Sequence, residues 1–329
     1  MATTETLTAT ATRDELDRAF ARVSNLSHVE LTTPCIEDSL RFFTDVVGLV
    51  ETERHGQSVY LRCLGDFTHH SLVLTEGAKP GIDHLALRVA RPEHVDVFAA
   101  QLRAAGHAVT EVPAGTERGQ GDAIRFDGPF EHTIELFHDF ERATPKQPSL
   151  LRNQSEAYHG RGASARRIDH VNLFTPDITA LREFLEQTVD MRLRESIAMD
   201  DGEEIGAWLS VTVNVHDIAL TLDRRPDRTL GSLHHLGFYV DTRERVLEAA
   251  DLMSELGVRI EAGPAKHGIT QAFFMYVFEP GGCRIELFSG GYQIFEPDWQ
   301  PVRWTEEEFH RAIIWWGAQL PESYMAYGT

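Results

Sequence analysis

The chain has 329 residues, 42% of them hydrophobic, which is enough for two domains of ordinary size. Its 51 acidic against 31 basic residues give a formal charge of −20 with no dense Lys/Arg cluster, arguing against nucleic acid and anionic membrane as partners. No apolar run approaches the ~18 residues of a spanning helix, and Cys35, Cys63 and Cys283 lack a CxxC spacing, so reduced thiols in a cytoplasmic protein without a membrane anchor are expected.

Residues 1–22 have no basic segment followed by an apolar one, and read as a tail containing one short helix in DELDRAFARV. Four later segments begin alike: LSHVELTT with His28, GIDHLALRV with His84, RIDHVNLFT with His170, and LHHLGFYV with His235. Each leads into a helical pattern, CIEDSLRFFTDVVG, PEHVDVFAAQLRAAG, DITALREFLEQTVD and TRERVLEAADLMSELG in turn. Each then runs through short β-rich stretches to SLVLT, TIELF, DIALT and RIELF. The unit is strand-helix-strand-strand-strand, and it occurs four times.

Two such units make a domain, because His84 to His235 and Glu135 to Glu286 are the same distance apart. The expected class is α+β, with two domains of paired βαβββ modules at 23–140 and 167–290. A polar linker rich in Pro, Gly and Ser spans 141–166. The tail, 291–329, holds PDWQP, a helical TEEEFHRAIIWWGAQL and PESYMAYGT; Trp315 and Trp316 are expected to pack it back onto a domain.

The segment GPAKHGITQAFFMYVFEPGGCRIELF, 263–288, reads as a hairpin around Glu279-Pro280-Gly281-Gly282. A three-residue loop, 280–282, pairs Tyr276 with Glu286 on one face, whereas a two-residue loop sets them on opposite faces. Glu286 alone reads as a solvated strand residue, but a carboxylate aimed into a concave face needs a partner or a metal.

In the second domain the repeat gives His170 and His235 the same strand position. Asp83 and Asp169 stand where His234 does, so His235 is the repeated residue. With Glu286 they form a 2-His-1-carboxylate set that leaves three positions of a metal open, an arrangement suited to oxygen activation at non-haem iron. Most of the 16 histidines need no role beyond a satisfied core or surface position. In the first domain His28, His84 and Glu135 are ligand-like and His70 mirrors His216, but Thr116 and Arg125 stand where the second domain has His267 and Tyr276. A metal there would lack acid-base partners, so a vestigial site is expected.

The run from His267 through Tyr276, Glu279-Pro280, Gly282 and Glu286 resembles the signature of the extradiol ring-cleavage dioxygenases of the vicinal oxygen chelate superfamily. It departs at Pro264, where the family often has Gly. VHDIAL, LHHLGF and KHG are most similar to the homoprotocatechuate and catechol 2,3-dioxygenase branch. The resemblance implies Fe(II), with Mn(II) as the alternative, held by His170, His235 and Glu286. It also implies His216, His267 and Tyr276 as the surrounding acid-base groups, and catechol and O2 as reactants giving a ring-opened semialdehyde. Branch members acting on carboxylated catechols carry Arg where this chain has Ala262 and again just before WWG, where it has Ile313-Ile314. The expectation is therefore a neutral hydrophobic catechol, in a pocket near Trp208, Ala262, Ile313 and Trp315. Two other readings keep the fold: a glyoxalase-like or hydroxyphenylpyruvate-dioxygenase-like metalloenzyme, and a metal-free binding protein of the bleomycin-resistance type. Edge strands and the apolar tail favour a homo-oligomer, dimer or tetramer.

Overall fold

A computed structural model describes residues 21–144, 150–155 and 161–329, so the expected N-terminal helix and parts of the linker lie outside it. The architecture is α+β with two large sheets. In the first, β1 (Val23–Thr33), β2 (Val50–His55), β3 (Ser58–Arg62), β4 (Leu72–Glu76), β5 (Gly81–Val89), β6 (Thr110–Val112), β7 (Ala123–Asp127) and β8 (Thr133–Phe137) are ordered β2-β3-β4-β1-β5-β8-β7-β6. Helices Ile36–Arg41, continued by a wider turn over Phe42–Val47, and Glu93–Ala104 complete its two modules.

The second sheet repeats the plan with β9 (Arg167–Thr175), β10 (Arg192–Ala198), β11 (Glu204–Ser210), β12 (Ile218–Leu222), β13 (Leu233–Tyr239), β14 (Ile260–Lys266), β15 (Ala272–Phe278) and β16 (Arg284–Gly290). The tail adds β17 (Val302–Trp304) at the edge, giving β14-β15-β16-β13-β9-β12-β11-β10-β17. Helix Ile178–Val189 starts where the Asp177 carboxylate accepts from the Ala180 N–H at 2.9 Å, and helix Arg243–Glu255 starts with Thr242 doing the same for Arg245. Such caps contribute about 1 kcal/mol each.

Side-chain alternation divides the labour. Val171, Leu236, Ile285 and Leu287 are fully buried in a core on one face of the second sheet. The other face carries the polar residues of the site.

The tail departs from its sequence pattern. Of TEEEFHRAIIWWGAQL only Phe309–Ile313 is helical, because the following backbone pairs with β14: Trp315 N–H donates to Lys266 O at 2.8 Å and Lys266 N–H to Trp316 O at 3.0 Å. The tail thus packs back on the second domain as expected: alternation turns Ile314 inward and Trp315 outward, and Trp316 lies against Phe273, yet both tryptophans stay about half exposed rather than buried. Among the described residues no helix is long and apolar enough to cross a membrane.

Candidate metal centre and active site

The hairpin has the register that sets phenol and carboxylate on one face: Tyr276 pairs with Glu286 and Phe278 with Arg284. Glu286 in turn aligns with Gly237 on β13, and Gly237 with His170 on β9. Tyr276, Glu286, Gly237 and His170 thus form one row across four neighbouring strands, and His235, two residues before Gly237, projects to the same side. Gly237 is required there, because a Cβ would lie 2.4 Å from the His170 ring.

Three donor atoms converge in this row. Glu286 Oε2 lies 2.8 Å from His170 Nε2 and 3.1 Å from His235 Nε2, and the two imidazole nitrogens are 2.9 Å apart. Ligands at right angles around an ion with bonds of ~2.0–2.1 Å are separated by about 2.9 Å, so the triangle has the dimensions of one face of a metal's coordination shell. Glu286 Oε1 is buried without a hydrogen-bond partner, so a second carboxylate oxygen beside the triangle is uncommitted, while His170 Nδ1, on the far side of its ring, lies 3.8 Å from Asp169 Oδ2. Electrostatics agree with the geometry. Burial alone would raise the Glu286 pKa, but His170 and the other imidazoles hold it well below the carboxylate range. His170 is pulled down by burial and pushed up more strongly by Glu286 and Asp169, to about 9, so the pocket favours positive charge at this point. Burial drops His235 to about 4, leaving its nitrogen free to bind.

Around the triangle stand the three expected acid-base residues. The His267 ring stacks on Phe274 at 3.8 Å, and its Nδ1–H donates to the Ile313 carbonyl at 2.5 Å. A carbonyl can only accept, so Nε2 carries the lone pair and accepts from the Tyr276 hydroxyl at 3.2 Å. Burial, then Glu286, raises the Tyr276 pKa well above that of a free phenol and keeps it protonated. The His216 ring lies 4.1 Å from that of His170; burial and the neighbouring imidazole lower its pKa well below the usual histidine value.

A cavity of about 720 Å³ opens over these groups. Trp208 and Ile313 line it with Ile197, Met199, Phe309 and Leu320. Ala262 and Trp315, expected at the pocket, are not part of its wall. Ala262 pairs with Tyr276 in the β14–β15 ladder and is buried behind it, and Trp315 faces outward over Arg311. Among the lining residues that the sequence reading did not name, two polar ones stand beside the reacting groups. Asn172 follows His170 by two and shares its face, a period that could have revealed it. Tyr324 comes from the tail, has no counterpart in the repeat, and donates its hydroxyl hydrogen to Tyr276 at 3.3 Å.

The comparisons with known proteins bear on this site. Residues 167–287 match the Glyoxalase/Bleomycin resistance protein/Dioxygenase superfamily, and residues 82–141 match the catechol 2,3-dioxygenase-like N-terminal domain. The chain is 42% identical to the manganese-dependent 2,3-dihydroxybiphenyl 1,2-dioxygenase of Geobacillus genomosp. 3, over 91% of this chain and 96% of that protein. It is 38% identical to a metapyrocatechase of Geobacillus stearothermophilus, over 93% and 94% respectively. Homoprotocatechuate 2,3-dioxygenase from Brevibacterium fuscum, solved in an anaerobic complex with 3,4-dihydroxyphenylacetate, superposes with a TM-score of 0.82 at 30% identity, covering 92% of this chain and 91% of that one. With this fold, this hairpin and relatives of this identity over nearly its whole length, the chain belongs to the type I extradiol ring-cleavage dioxygenases.

Proposed function

We propose that the second domain, 167–290, is the catalytic one and that His170, His235 and Glu286 hold a divalent ion, Fe(II) or Mn(II), on which a neutral, hydrophobic catechol is cleaved by O2 beside its hydroxyls. The convergence of two imidazole nitrogens and one carboxylate oxygen at 2.8–3.1 Å supports this reading most directly. Among relatives of this chain, the dihydroxybiphenyl dioxygenase of Geobacillus genomosp. 3 is manganese-dependent and an extradiol dioxygenase of Rhodococcus jostii RHA1 is iron-dependent. When bound, the ion supplies a bidentate anchor for the two catechol oxygens and lowers their pKa.

The protein's own groups do the rest. His216, kept neutral by burial, accepts a proton from the substrate and returns it to a leaving oxygen. Tyr276, kept protonated, has one hydroxyl hydrogen, which turns from His267 Nε2 to a substrate oxygen when the pocket is filled, and His267, with its Nδ1–H committed to Ile313, is left with the Nε2 lone pair facing the same cluster. The apolar wall excludes water and orients the ring.

The neutral-substrate assignment rests on charge. Among the described residues Arg224 is the only Arg or Lys lining the cavity, and it lies at the exposed rim, paired with Glu203. The buried Arg284 has all five N–H donors engaged by Glu261 and by the carbonyls of His234, Tyr327 and Ser323. Among the described residues, a substrate carboxylate deep in this pocket would meet no buried Arg or Lys with a donor to spare. Oxygen uptake with methylcatechol, an aryl-substituted catechol and 3,4-dihydroxyphenylacetate will show kcat/KM at least tenfold lower for the acid; equal or higher values for the acid refute the assignment. We place the enzyme in the cytoplasm as a homo-oligomer, dimer or tetramer, a reading that size-exclusion chromatography with light scattering checks.

A further inference from the structure

The first sheet repeats the geometry of the second with one exchange. Across β7-β8-β5-β1 the aligned row is Arg125, Glu135, Ala86 and His28, where the second sheet has Tyr276, Glu286, Gly237 and His170. His84 precedes Ala86 by two, as His235 precedes Gly237, and Glu117 enters from the segment between β6 and β7. His28, His84, Glu117 and Glu135 are all buried, with donor atoms within 4.8 Å of one another. His28 Nε2 lies 3.0 Å from Glu117 Oε1 and 3.7 Å from Glu135 Oε1, and His84 Nε2 lies 3.4 Å from Glu117 Oε2. Donors around a four-coordinate ion with ~2.0–2.2 Å bonds are roughly 3.3–3.6 Å apart, so this set is spaced for a zinc-like ion. Behind it, His84 Nδ1 lies 3.0 Å from Asp83 and 3.5 Å from Glu30, the carboxylate support that orients metal-binding histidines.

Arg125 takes the other oxygen of each carboxylate, while His70 Nε2 lies 2.9 Å from Glu117 Oε1 and Gln120 donates to Glu135 Oε1 at 2.6 Å. The Nε of Arg125 donates to Glu135 Oε2 at 2.6 Å, one terminal nitrogen donates to Glu117 Oε2 at 3.1 Å, and that nitrogen is 3.3 Å from His84 Nε2. A guanidinium stays charged at any pH the protein survives, so it balances the buried carboxylates permanently.

We propose that the guanidinium of Arg125 is the resident cation of a metal site in the first domain, and that it keeps divalent ions out of that site. Removing it frees Glu117 Oε2, Glu135 Oε2 and the space beside His84 Nε2 and leaves the carboxylates uncompensated, which opens the cluster of His28, His84, Glu117 and Glu135 to a four-coordinate divalent ion.

The test compares the wild-type enzyme with Arg125→Met and Arg125→Tyr, each loaded with Zn(II), desalted and assayed for ions per chain by atomic emission. Each variant will hold one more ion per chain than wild type, Zn(II) will raise its Tm more than it raises the wild type's, and adding Glu117→Ala will remove the extra ion. The readout is a difference between proteins, so it stands whatever occupies the second domain. Folded variants with the wild-type ion count overturn the proposal, as does a wild-type ion that Glu117→Ala removes. Variants that fold only when Zn(II) is present support it. Variants that fail to fold even with Zn(II) overturn it, since the ion then does not substitute for the guanidinium.

Discussion

Tyr324 sits at the head of a hydrogen-bond chain with a fixed direction: its hydroxyl donates to Tyr276, Tyr276 to His267 Nε2, and His267 Nδ1–H to the Ile313 carbonyl. Tyr324→Phe removes the first donor and keeps the ring. A net hydrogen bond is worth about 1 kcal/mol, so kcat should fall about fivefold with metal content and KM unchanged. Unaltered kcat would mean that the two phenols do not cooperate in turnover. Neither repeat nor motif pointed to this residue, because a tail used once leaves no internal copy for comparison. His170, His235 and Glu286 were legible for the opposite reason: duplication kept them at equal spacing, and hairpin chemistry around Gly282 set the register that brings Glu286 beside Tyr276. Trp315 misleads by its size; its facing is set by the backbone pairing with Lys266, which the sequence does not announce.

At the scale of the strand, the site depends on how closely β9 and β13 approach. The His170 ring lies directly over Gly237, so Gly237→Ala must push it aside: the added carbon would sit 2.4 Å from Cε1 and 2.8 Å from Nε2. Metal content of the purified variant should drop at least tenfold while its circular dichroism is preserved, and full metal retention would refute the account. The first sheet shows the contrast, since Ala86 holds the equivalent place and His28 Nε2 is 3.7 Å from Glu135, against 2.8 Å for His170 and Glu286. Strands and their helices were readable from period and turn residues because those signals are local. The shortening of the tail's TEEEFHRAIIWWGAQL pattern to Phe309–Ile313 was not, because its competitor is a backbone ladder formed with a segment nearly fifty residues earlier.

Over the whole molecule the two sheets share one apolar core, and polar contacts fasten them together. Ser39 donates to Glu279 at 2.6 Å, and the His132 ring nitrogen lies 3.4 Å from the Ser232 carbonyl. Burial lowers the His132 pKa to about 4. The unfolded chain therefore binds a proton that the folded one refuses between about 6.5 and 4, so this contribution is complete above the upper value and is lost as pH falls through the window. Thermal melts should show Tm declining across that range and a shallower decline in His132→Asn; identical slopes would exclude His132 as the cause. Such contacts join residues a hundred positions apart, and no periodicity encodes them. One feature of the cavity wall reaches further. Ile313 both touches whatever fills the pocket and, through its carbonyl, decides which nitrogen of His267 bears hydrogen. A ring substituent bulky enough to shove that turn outward will unsettle the tautomer, so oversized substrates will betray themselves by sluggish turnover even where they are tightly held.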